Sequence, residues 1–213
     1  MKIKARDFVE IEYTGKIVDL NQVFDTTDKE IAKKEKIYSE KMGYGPAVVC
    51  IGEKHLLPGL DNKLQGKETG KDYEFTLTPE EGFGKKSAQL LKLVPAKVFK
   101  QQQIQPMPGL EINVDGMPGI IRSVSGGRII VDFNHPLSGK ELNYRIKLNR
   151  VVKEPKKKLE ALLKIELNMK DIKVEIKEGK ATINKEFPKE LQDNIKKRIQ
   201  DLIPEIKEIN FKK

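Results

Sequence analysis

The sequence is poor in the residues that usually mark special chemistry. Its 213 residues include no tryptophan, one cysteine and two histidines, and aromatic residues make up only 6% of the chain. The single cysteine, Cys50, excludes an intramolecular disulfide, which is typical of a reducing compartment. Because Cys50 lies in the apolar stretch PAVVCIG, we interpret it as a small core residue. His55 and His135 have no cluster of further ligands near them in the sequence, so we predict no metal site.

Long apolar runs are also absent. No stretch approaches the roughly 18 consecutive apolar residues that a membrane helix requires. The charged N-terminus, MKIKARDFVE, lacks the apolar segment of a signal peptide, and no glycine-rich phosphate loop occurs. We therefore expect a cytoplasmic protein with no bound cofactor and no membrane partner.

The chain carries a formal net charge of +9, and its last part is the more basic one. Residues 155–213 hold 16 Lys and Arg against 11 Asp and Glu. Such a segment could bind nucleic acid or an acidic partner. Because charges of both signs are interspersed, we favour a solvated surface and do not expect nucleic acid as the main partner.

Two alternating stretches predict strands of a half-buried sheet. In DFVEIEYTG, Val9, Ile11 and Tyr13 face one way, and we expect the strand to end at Gly15. Residues 142–150 alternate in the same manner. The two stretches lie far apart in sequence, so the residues between them include a separate block of structure.

Two segments of the first half predict helices. LLPGLDNKLQG predicts one or two helical turns, with Pro58 at the first position and Gly66 at the end. Residues 28–42 predict another short helix, with Asp28 as its N-cap.

The remaining regions predict two smaller units. In residues 85–130, LLKLVP predicts a strand and AKVFKQQQ a short helix, and a turn is expected at Gly126-Gly127, so we interpret this block as a β-rich module inserted into the host sheet. Residues 151–158, VVKEPKKK, resemble a linker. The part after it alternates helical and strand patterns and predicts a small α/β unit. Its small size and its apolar helix stripes lead us to expect that it drives homodimerisation.

Several motifs, in this order and spacing, resemble the FKBP family of peptidyl-prolyl isomerases. They are EYTG (12–15), VFDTT (23–27), GEKHLLPGLDNKLQGKETGKDYEF (52–75), EEGFG (80–84) and NHPLSGKELNYRI (134–146). The block after Gly84 resembles the insert-in-flap chaperone domain of the SlyD-type branch. The C-terminal unit resembles the extra domain of long archaeal FKBPs.

The resemblance implies an α+β protein with three domains. A twisted antiparallel FKBP sheet around a short helix would comprise residues 1–84 and 131–152, interrupted by the inserted chaperone domain at 85–130. Residues 153–213 would form the small C-terminal α/β domain.

The resemblance also implies an apolar pocket that binds proline. Its catalytic positions in this chain would be Tyr13, Phe24, Asp25, Leu56, Leu57, Leu60, Phe83 and Tyr144. Further substrate contacts would come from Ala47, His135 and Leu137. The leucine and aromatic side chains would hold the proline ring and exclude water, the Leu57 N–H would orient a substrate carbonyl, and Asp25 with the Tyr13 hydroxyl would form a polar edge.

The chain departs from the best-known family members at three of these positions. Leu60 stands where many have tryptophan, Phe83 where many have tyrosine, and Ala47 where an aromatic residue is common. We expect these changes to weaken macrolide binding more than isomerase activity.

The inserted module has a separate expected role, which is to hold unfolded polypeptides. The side chains predicted to do so are Val98, Phe99, Ile104, Met107, Met117, Ile120 and Ile121. The alternative is that about half of them form the core of the module itself. Two other functions stay open at this point: a holdase without catalysis, and a nucleic-acid or ribosome-associated factor that uses the basic C-terminal unit.

Overall fold

The computed structural model of the chain describes residues 1–114, 116–169 and 172–212. The strands in these residues are β1 (Phe8–Ile17), β2 (Gln22–Thr26), β3 (Ala47–Cys50), β4 (Lys71–Leu77), β5 (Leu91–Pro95), β6 (Glu111–Val114), β7 (Met117–Ser125), β8 (Arg128–Asp132), β9 (Leu142–Val151), β10 (Val174–Lys177), β11 (Lys180–Ile183) and β12 (Glu208–Phe211). The helices are α1 (Lys29–Lys34), α2 (Pro58–Leu64), α3 (Ala96–Gln101), α4 (Pro155–Glu166) and α5 (Lys189–Leu202).

Contacts divide the chain into two compact units. The first unit comprises residues 1–77 and 141–213, and the second unit comprises residues 78–140. Both are mixed α and β structures whose sheets are mostly antiparallel, which confirms the predicted α+β class. In the described part of the chain, no helix has the length and apolar character needed to cross a bilayer.

The main sheet of the first unit is built around β1. This strand pairs antiparallel with β2, β3 and β9, and β9 also pairs with β4. Val9 and Ile11 are fully buried, as their alternation predicts. The strand does not end at Gly15 but continues to Ile17, because Lys16 and Ile17 still pair with both β2 and β9.

Helix α2 lies in the core of this unit and packs against β4. It begins at Pro58, as predicted, since the first turn of a helix does not need the N–H that proline lacks. Leu60 and Leu64 share one face and are both buried. The backbone turns into the left-handed region at Gly66, which follows the helix.

Helix α1 is shorter than the sequence predicts. Asp28 caps it by accepting hydrogen bonds from Glu30 N and Ile31 N, at 2.7 and 3.0 Å. The helix ends at Lys34 rather than near residue 42, because Lys36 adopts a left-handed conformation with φ of 59° that a helix cannot contain.

The C-terminal part forms a three-stranded sheet, β10-β11-β12, with α4 and α5. Its core includes three residues of the N-terminal part and β9 region, Phe8, Cys50 and Val152. The linker prediction for 151–158 was wrong: β9 runs to Val151 and α4 starts at Pro155. The lysines that resemble a linker lie in the first turn of a helix whose opposite face is buried.

Cys50 is fully buried in this shared core, as its apolar surroundings predict. Burial, followed by the charge of Glu53, raises the pKa of its thiol to about 12. The thiol therefore stays protonated at neutral pH and acts as a packing group.

The second unit is a four-stranded antiparallel sheet in the order β5-β8-β7-β6, with α3 beside β5 and a 3-10 turn at Ala88–Leu90. The strand predicted in LLKLVP (90–95) is present as Leu91–Pro95, and the short helix after it and the turn at Gly126-Gly127 are also present. Its core contains Phe99, Ile112, Ile121, Ile129 and Val131.

A buried carboxylate, Asp132, closes the end of β8. It accepts hydrogen bonds from Arg122 Nε and Nη2 at 3.1 and 2.8 Å, and from both nitrogens of Asn134. Burial acts to raise the pKa of Asp132, but the hydrogen bonds from Asn134 and Arg122 outweigh burial and lower that pKa to about 2.

Candidate functional site

The polar edge of the predicted pocket forms across the β1–β2 pair. Gly15 pairs with Asp25 in the register, so Tyr13 and Asp25 lie near each other on the same face. The Tyr13 hydroxyl donates a hydrogen bond of 2.9 Å to Asp25 Oδ2. Burial, followed by the charge of Asp25 and this hydrogen bond, raises the pKa of Tyr13 well above its usual range. Tyr13 therefore keeps its proton and is a fixed donor at physiological pH.

An aromatic cluster adjoins this edge. The rings of Phe24 and Tyr144 meet edge to face, with centroids 5.7 Å apart and planes at 87°. The Tyr13 and Tyr144 ring centroids are 6.2 Å apart. Tyr144 is buried, and burial together with the charge of Asp25 raises the pKa of its hydroxyl. Four of the predicted catalytic residues are thus brought together by three strands.

Gly15 makes this cluster possible, and it was not among the predicted site residues. A Cβ atom at this position would lie 2.9 Å from Phe24 Cζ and 2.9 Å from Tyr144 Cε1. A glycine inside a strand often marks a close approach of this kind, so the signal was present in EYTG. Because residue 15 has no side chain, the two rings can pack over the backbone of β1.

The stretch HLLPGL leads into α2. Leu60 is buried on the helix, while Leu56 and Leu57 are half-buried in the turn before it. Leu57 is the N-cap residue, and its carbonyl accepts the first helical hydrogen bond, from Asp61 N at 3.0 Å. The backbone N–H groups at this end of a helix have no partner within the helix. Ala47 is half-buried on β3, where it pairs with Ile11 of β1.

Three residues of the predicted pocket, Phe83, His135 and Leu137, lie in the second unit. The rings of Phe83 and His135 stack with centroids 4.4 Å apart and planes within 2°. Ser138 Oγ donates to Phe83 O at 3.0 Å, and His135 Nδ1 accepts from Leu137 N at 3.2 Å. These contacts gather Phe83, His135 and Leu137 at the two ends of the segment that forms the second unit.

The predicted client-binding side chains divide into two groups. Phe99 and Ile121 are buried in the module core, with Ile104 packed against it. Met107 and Met117 are 53% and 47% exposed. The sequence-based alternative, in which part of the set is core, therefore describes Phe99, Ile104 and Ile121.

A groove of about 640 Å³ on the second unit contains two of the predicted residues, Met117 and Ile120, and also His135. Its other lining residues are Leu90, Glu111, Ile112, Asn113, Pro118, Gly119, Phe133, Asn134 and Pro136. Val98 is half-buried on α3 and does not line this groove. The groove residues Leu90 and Phe133 were not among the residues that the sequence analysis predicted to bind a client, although it predicted a strand beginning at Leu90 and a substrate contact at His135.

The two histidines have packing roles in this structure. The His55 ring accepts a hydrogen bond from Cys50 N, and the His135 ring stacks on Phe83. Among residues 1–114, 116–169 and 172–212, no three His, Cys, Asp or Glu side chains gather in a way that could hold a metal ion.

Comparison with known families gives two matches. The family model for FKBP-type peptidyl-prolyl cis-trans isomerase matches residues 1–100. The family model described as FKBP26, IF domain, matches residues 92–137, a range that lies entirely in the second unit.

Curated proteins give the same family. The chain is 33% identical over 150 residues to the short-type peptidyl-prolyl cis-trans isomerase of Methanocaldococcus jannaschii, a match that covers 70% of this chain and 94% of that protein. It is 35% identical over 108 residues to the FKBP-type 16 kDa peptidyl-prolyl cis-trans isomerase of Escherichia coli, covering 48% and 72%. It is 29% identical over 154 residues to the FKBP-type isomerase SlyD of Aeromonas hydrophila, covering 71% and 65%. The chain therefore belongs to the family of FKBP-type peptidyl-prolyl cis-trans isomerases.

Proposed function

We propose that the pocket of the first unit catalyses cis-trans isomerisation of X–Pro bonds in unfolded polypeptides, and that the second unit holds those polypeptides. The observation that carries the proposal is the assembly of Tyr13, Phe24, Asp25 and Tyr144 around Gly15. Aromatic rings and one half-buried donor–acceptor pair are suited to a reaction that breaks no covalent bond.

The chemistry requires only that the pocket favour a twisted amide. Rotation about an X–Pro bond meets a barrier of roughly 18–20 kcal/mol, which comes from amide resonance. Water stabilises the planar, polar form of the amide more than the twisted one. A pocket that removes water and fits the twisted bond therefore lowers the barrier by differential binding. A thousandfold acceleration needs about 4 kcal/mol.

Each pocket residue has a role in this proposal. Phe24, Tyr144 and Leu60 hold the proline ring, with Leu56 completing the apolar wall. The Leu57 N–H, at the start of α2, donates to a substrate carbonyl. Tyr13 holds the Asp25 carboxylate beside the twisting bond, where its fixed dipole requires no rearrangement during the reaction. Phe83, His135, Leu137 and Ala47 stay predictions as substrate contacts.

The groove of the second unit supports the client-binding part of the proposal. Met117 is exposed at its edge, and unbranched methionine side chains adapt to varied apolar segments. Leu91, Leu93 and Ile130 are also exposed on this unit. Binding of a client on this surface raises the local concentration of its prolines near a catalytic pocket on the same chain. A holdase without catalysis is the alternative, and the pocket geometry argues against it.

Four narrower features are part of the proposal. The domain boundaries are those predicted from the sequence, with an insert-in-flap domain at 85–130. The C-terminal part resembles the extra domain of long archaeal family members, and the protein acts in the cytoplasm. Homodimerisation through residues 153–213 would have to use surface residues such as Leu191, which is 50% exposed, since Leu159, Leu162 and Leu163 of the α4 stripe are buried within the chain.

The experiment uses two assays on the full chain. The first follows the proline-limited slow phase of a refolding protein, which takes roughly 10–100 s unaided. The second follows suppression of aggregation. We expect Asp25→Ala to lose most of the acceleration and keep aggregation suppression, whereas Asp72→Ala, on the exposed part of β4, changes neither. An unaltered slow phase in the presence of the unmodified chain contradicts the isomerase proposal.

A further inference from the structure

His55 joins the pocket segment to the C-terminal helices. Its side chain is only 2% exposed, and its Nδ1 accepts a hydrogen bond of 3.0 Å from Cys50 N. An imidazole that accepts at Nδ1 carries its proton at Nε2. Nε2 lies 3.3 Å from Glu166 Oε1, so the buried N–H donates to a carboxylate at the end of α4.

Arg198 of α5 fixes that carboxylate and also holds the pocket segment directly. Its Nε and Nη2 donate to Glu166 Oε1 at 3.0 and 2.8 Å, and its Nη1 lies 2.7 Å from Glu53 Oε2. Burial acts to raise the pKa of Glu166, but the hydrogen bonds from Arg198 and His55 outweigh it and lower that pKa. Glu166 is therefore an ionised acceptor at neutral pH.

The segment held in this way runs straight into the pocket. Glu53 and His55 precede Leu56 and Leu57, which form the predicted wall and the substrate-orienting N–H. At its other end the segment is tied to α2, because Gly52 N donates to Asp61 Oδ1 at 2.9 Å and Asp61 N donates to Leu57 O at 3.0 Å. The loop is thus fixed from one side by its own helix and from the other by two C-terminal helices.

We propose that Glu166 and Arg198 are positioning residues for the isomerase, which act through His55 and Glu53 to hold Leu56 and Leu57 in their catalytic arrangement. This inference rests on the proposed function of the pocket. It gives the C-terminal part of the chain a role in catalysis although none of its residues belongs to the pocket. A displacement of a binding group by about 1 Å is enough to slow a reaction markedly.

Removal of the Glu166 carboxylate would take a hydrogen-bond partner from both His55 and Arg198. Without it, the His55 Nε2–H is buried with no acceptor at that position, and Arg198 loses its bidentate partner. Gln at position 166 keeps an amide oxygen for His55 but not the charge for Arg198, so Glu166→Gln should retain part of the effect. Lys at position 198 keeps the charge but cannot form the planar fork that spans Glu166 and Glu53.

A matched control is available in the same part of the chain. Glu205 pairs with Lys158 Nζ at 2.7 Å, and this pair ties the C-terminal elements to each other rather than to residues 52–57. Glu205→Ala therefore removes a carboxylate and a salt bridge of comparable length from the same fold region. Both substitutions are compared at a temperature well below the unfolding midpoint of each full-length variant.

The test measures kcat/KM on a short proline peptide. We expect Glu166→Ala to lower it about tenfold, Glu166→Gln and Arg198→Lys to lower it about threefold, and Glu205→Ala to leave it within twofold. The proposal is overturned if Glu166→Ala also stays within twofold, or if Glu205→Ala causes an equal loss. If Glu166→Ala does not fold, Glu166→Gln and Arg198→Lys decide the question. A threefold loss of kcat/KM in these variants supports the proposal, and a loss within twofold overturns it.

A second readout separates this inference from the proposed function. Hydrogen exchange at the Cys50 and Asp61 amides reports the position of the 52–61 segment without any catalysis. We expect exchange at both to be about tenfold faster in Glu166→Ala than in Glu205→Ala. If the unmodified chain is inactive, the proposed function fails, and equal exchange in the two variants then overturns the positioning role as well.

Discussion

The pocket of the first unit and the groove of the second unit both present apolar side chains, but they hold them in different ways. In the predicted pocket, the ring of Tyr144 lies beside those of Tyr13 and Phe24, and the Tyr13 hydroxyl is held by its hydrogen bond to Asp25. In the groove, Met117 is about half exposed and lies at the edge. Under the proposed function, this difference would suit the cluster to one twisted X–Pro bond and the groove to many different apolar segments.

The predicted pocket and the groove also differ in the residues that hold them in place. The pocket segment is held by α2 and by charged residues of α4 and α5. The groove lies on a sheet whose two central strands, β7 and β8, are linked by the Arg122–Asp132 pair. Substitutions beneath one site should therefore leave the other unchanged, and the following predictions test that separation.

Gly15→Ala should have the largest effect on the pocket. Its Cβ would lie 2.9 Å from both Phe24 and Tyr144, so one ring must move out of the cluster. Overpacking of this kind costs about 1–3 kcal/mol, which corresponds to a loss of roughly 5- to 160-fold in isomerase activity if it falls on the bound transition state. Peptide isomerisation and aggregation suppression are measured side by side.

The control for this prediction is Gly43→Ala. A Cβ at residue 43 would meet only Lys164 Nζ, at 3.5 Å, the end of a flexible side chain. It should change neither activity. Equal activity of Gly15→Ala and Gly43→Ala would show that ring packing over β1 is irrelevant to catalysis.

Gly119→Ala is the corresponding change beneath the groove. Its Cβ would lie 2.8 Å from Phe133 Cδ1 and 2.8 Å from Val131 Cγ1, so Phe133 must shift in the groove wall. We expect aggregation suppression to fall about fivefold, since the groove loses its shape, whereas isomerisation of a short peptide stays within twofold. An equal fall in both activities would contradict the proposal that the two sites act independently.

Tyr13→Phe removes a hydroxyl and keeps the ring. The Asp25 carboxylate then loses a hydrogen bond of 2.9 Å, and hydrogen bonds to charged groups contribute about 1.5–3 kcal/mol, part of which water will replace. We expect peptide isomerisation to fall roughly three- to tenfold. In a double-mutant cycle with Asp25→Ala, the second substitution should add little, and full additivity would show that the pair does not act as a unit.

Acid should destabilise the second unit through Asp132. Because its pKa is lowered to about 2, its contribution to stability is present above the unfolded pKa of about 3.9 and is lost as the pH falls towards 2. Exchange of the Val131 amide, followed between pH 5 and pH 2, should reveal this loss. Arg122→Met should make the dependence shallower, and an identical profile in that variant would assign the effect to other carboxylates.

Elements and residues with strong local signals could be predicted from the sequence. Pro58 at the start of α2, the cap at Asp28 and the alternation of β9 all follow from short-range rules and are present. The motifs also contained the four pocket residues that the structure brings together.

Features that depend on tertiary contacts were not predictable in this way. The lysines after Pro155 resemble a linker, but they begin a helix because Leu159 and Leu162 pack against Phe8 and Cys50, far away in sequence. The length of α1 is set by the left-handed conformation of Lys36. His55 showed no motif for its bond to Glu166, since that pair spans 111 residues.

The central claim is that the aromatic cluster of the first unit catalyses rotation about X–Pro bonds. The most direct measurement is magnetisation exchange between the cis and trans proline signals of a short unstructured peptide, with a catalytic amount of the full chain. Phe24→Ala is compared with Phe187→Ala, which removes a half-buried ring from an edge-to-face pair with Phe211 in the C-terminal part. We predict rapid exchange with the unmodified chain and with Phe187→Ala, and at least tenfold slower exchange with Phe24→Ala. Absence of exchange with the unmodified chain, or equal exchange with both variants, would contradict the account.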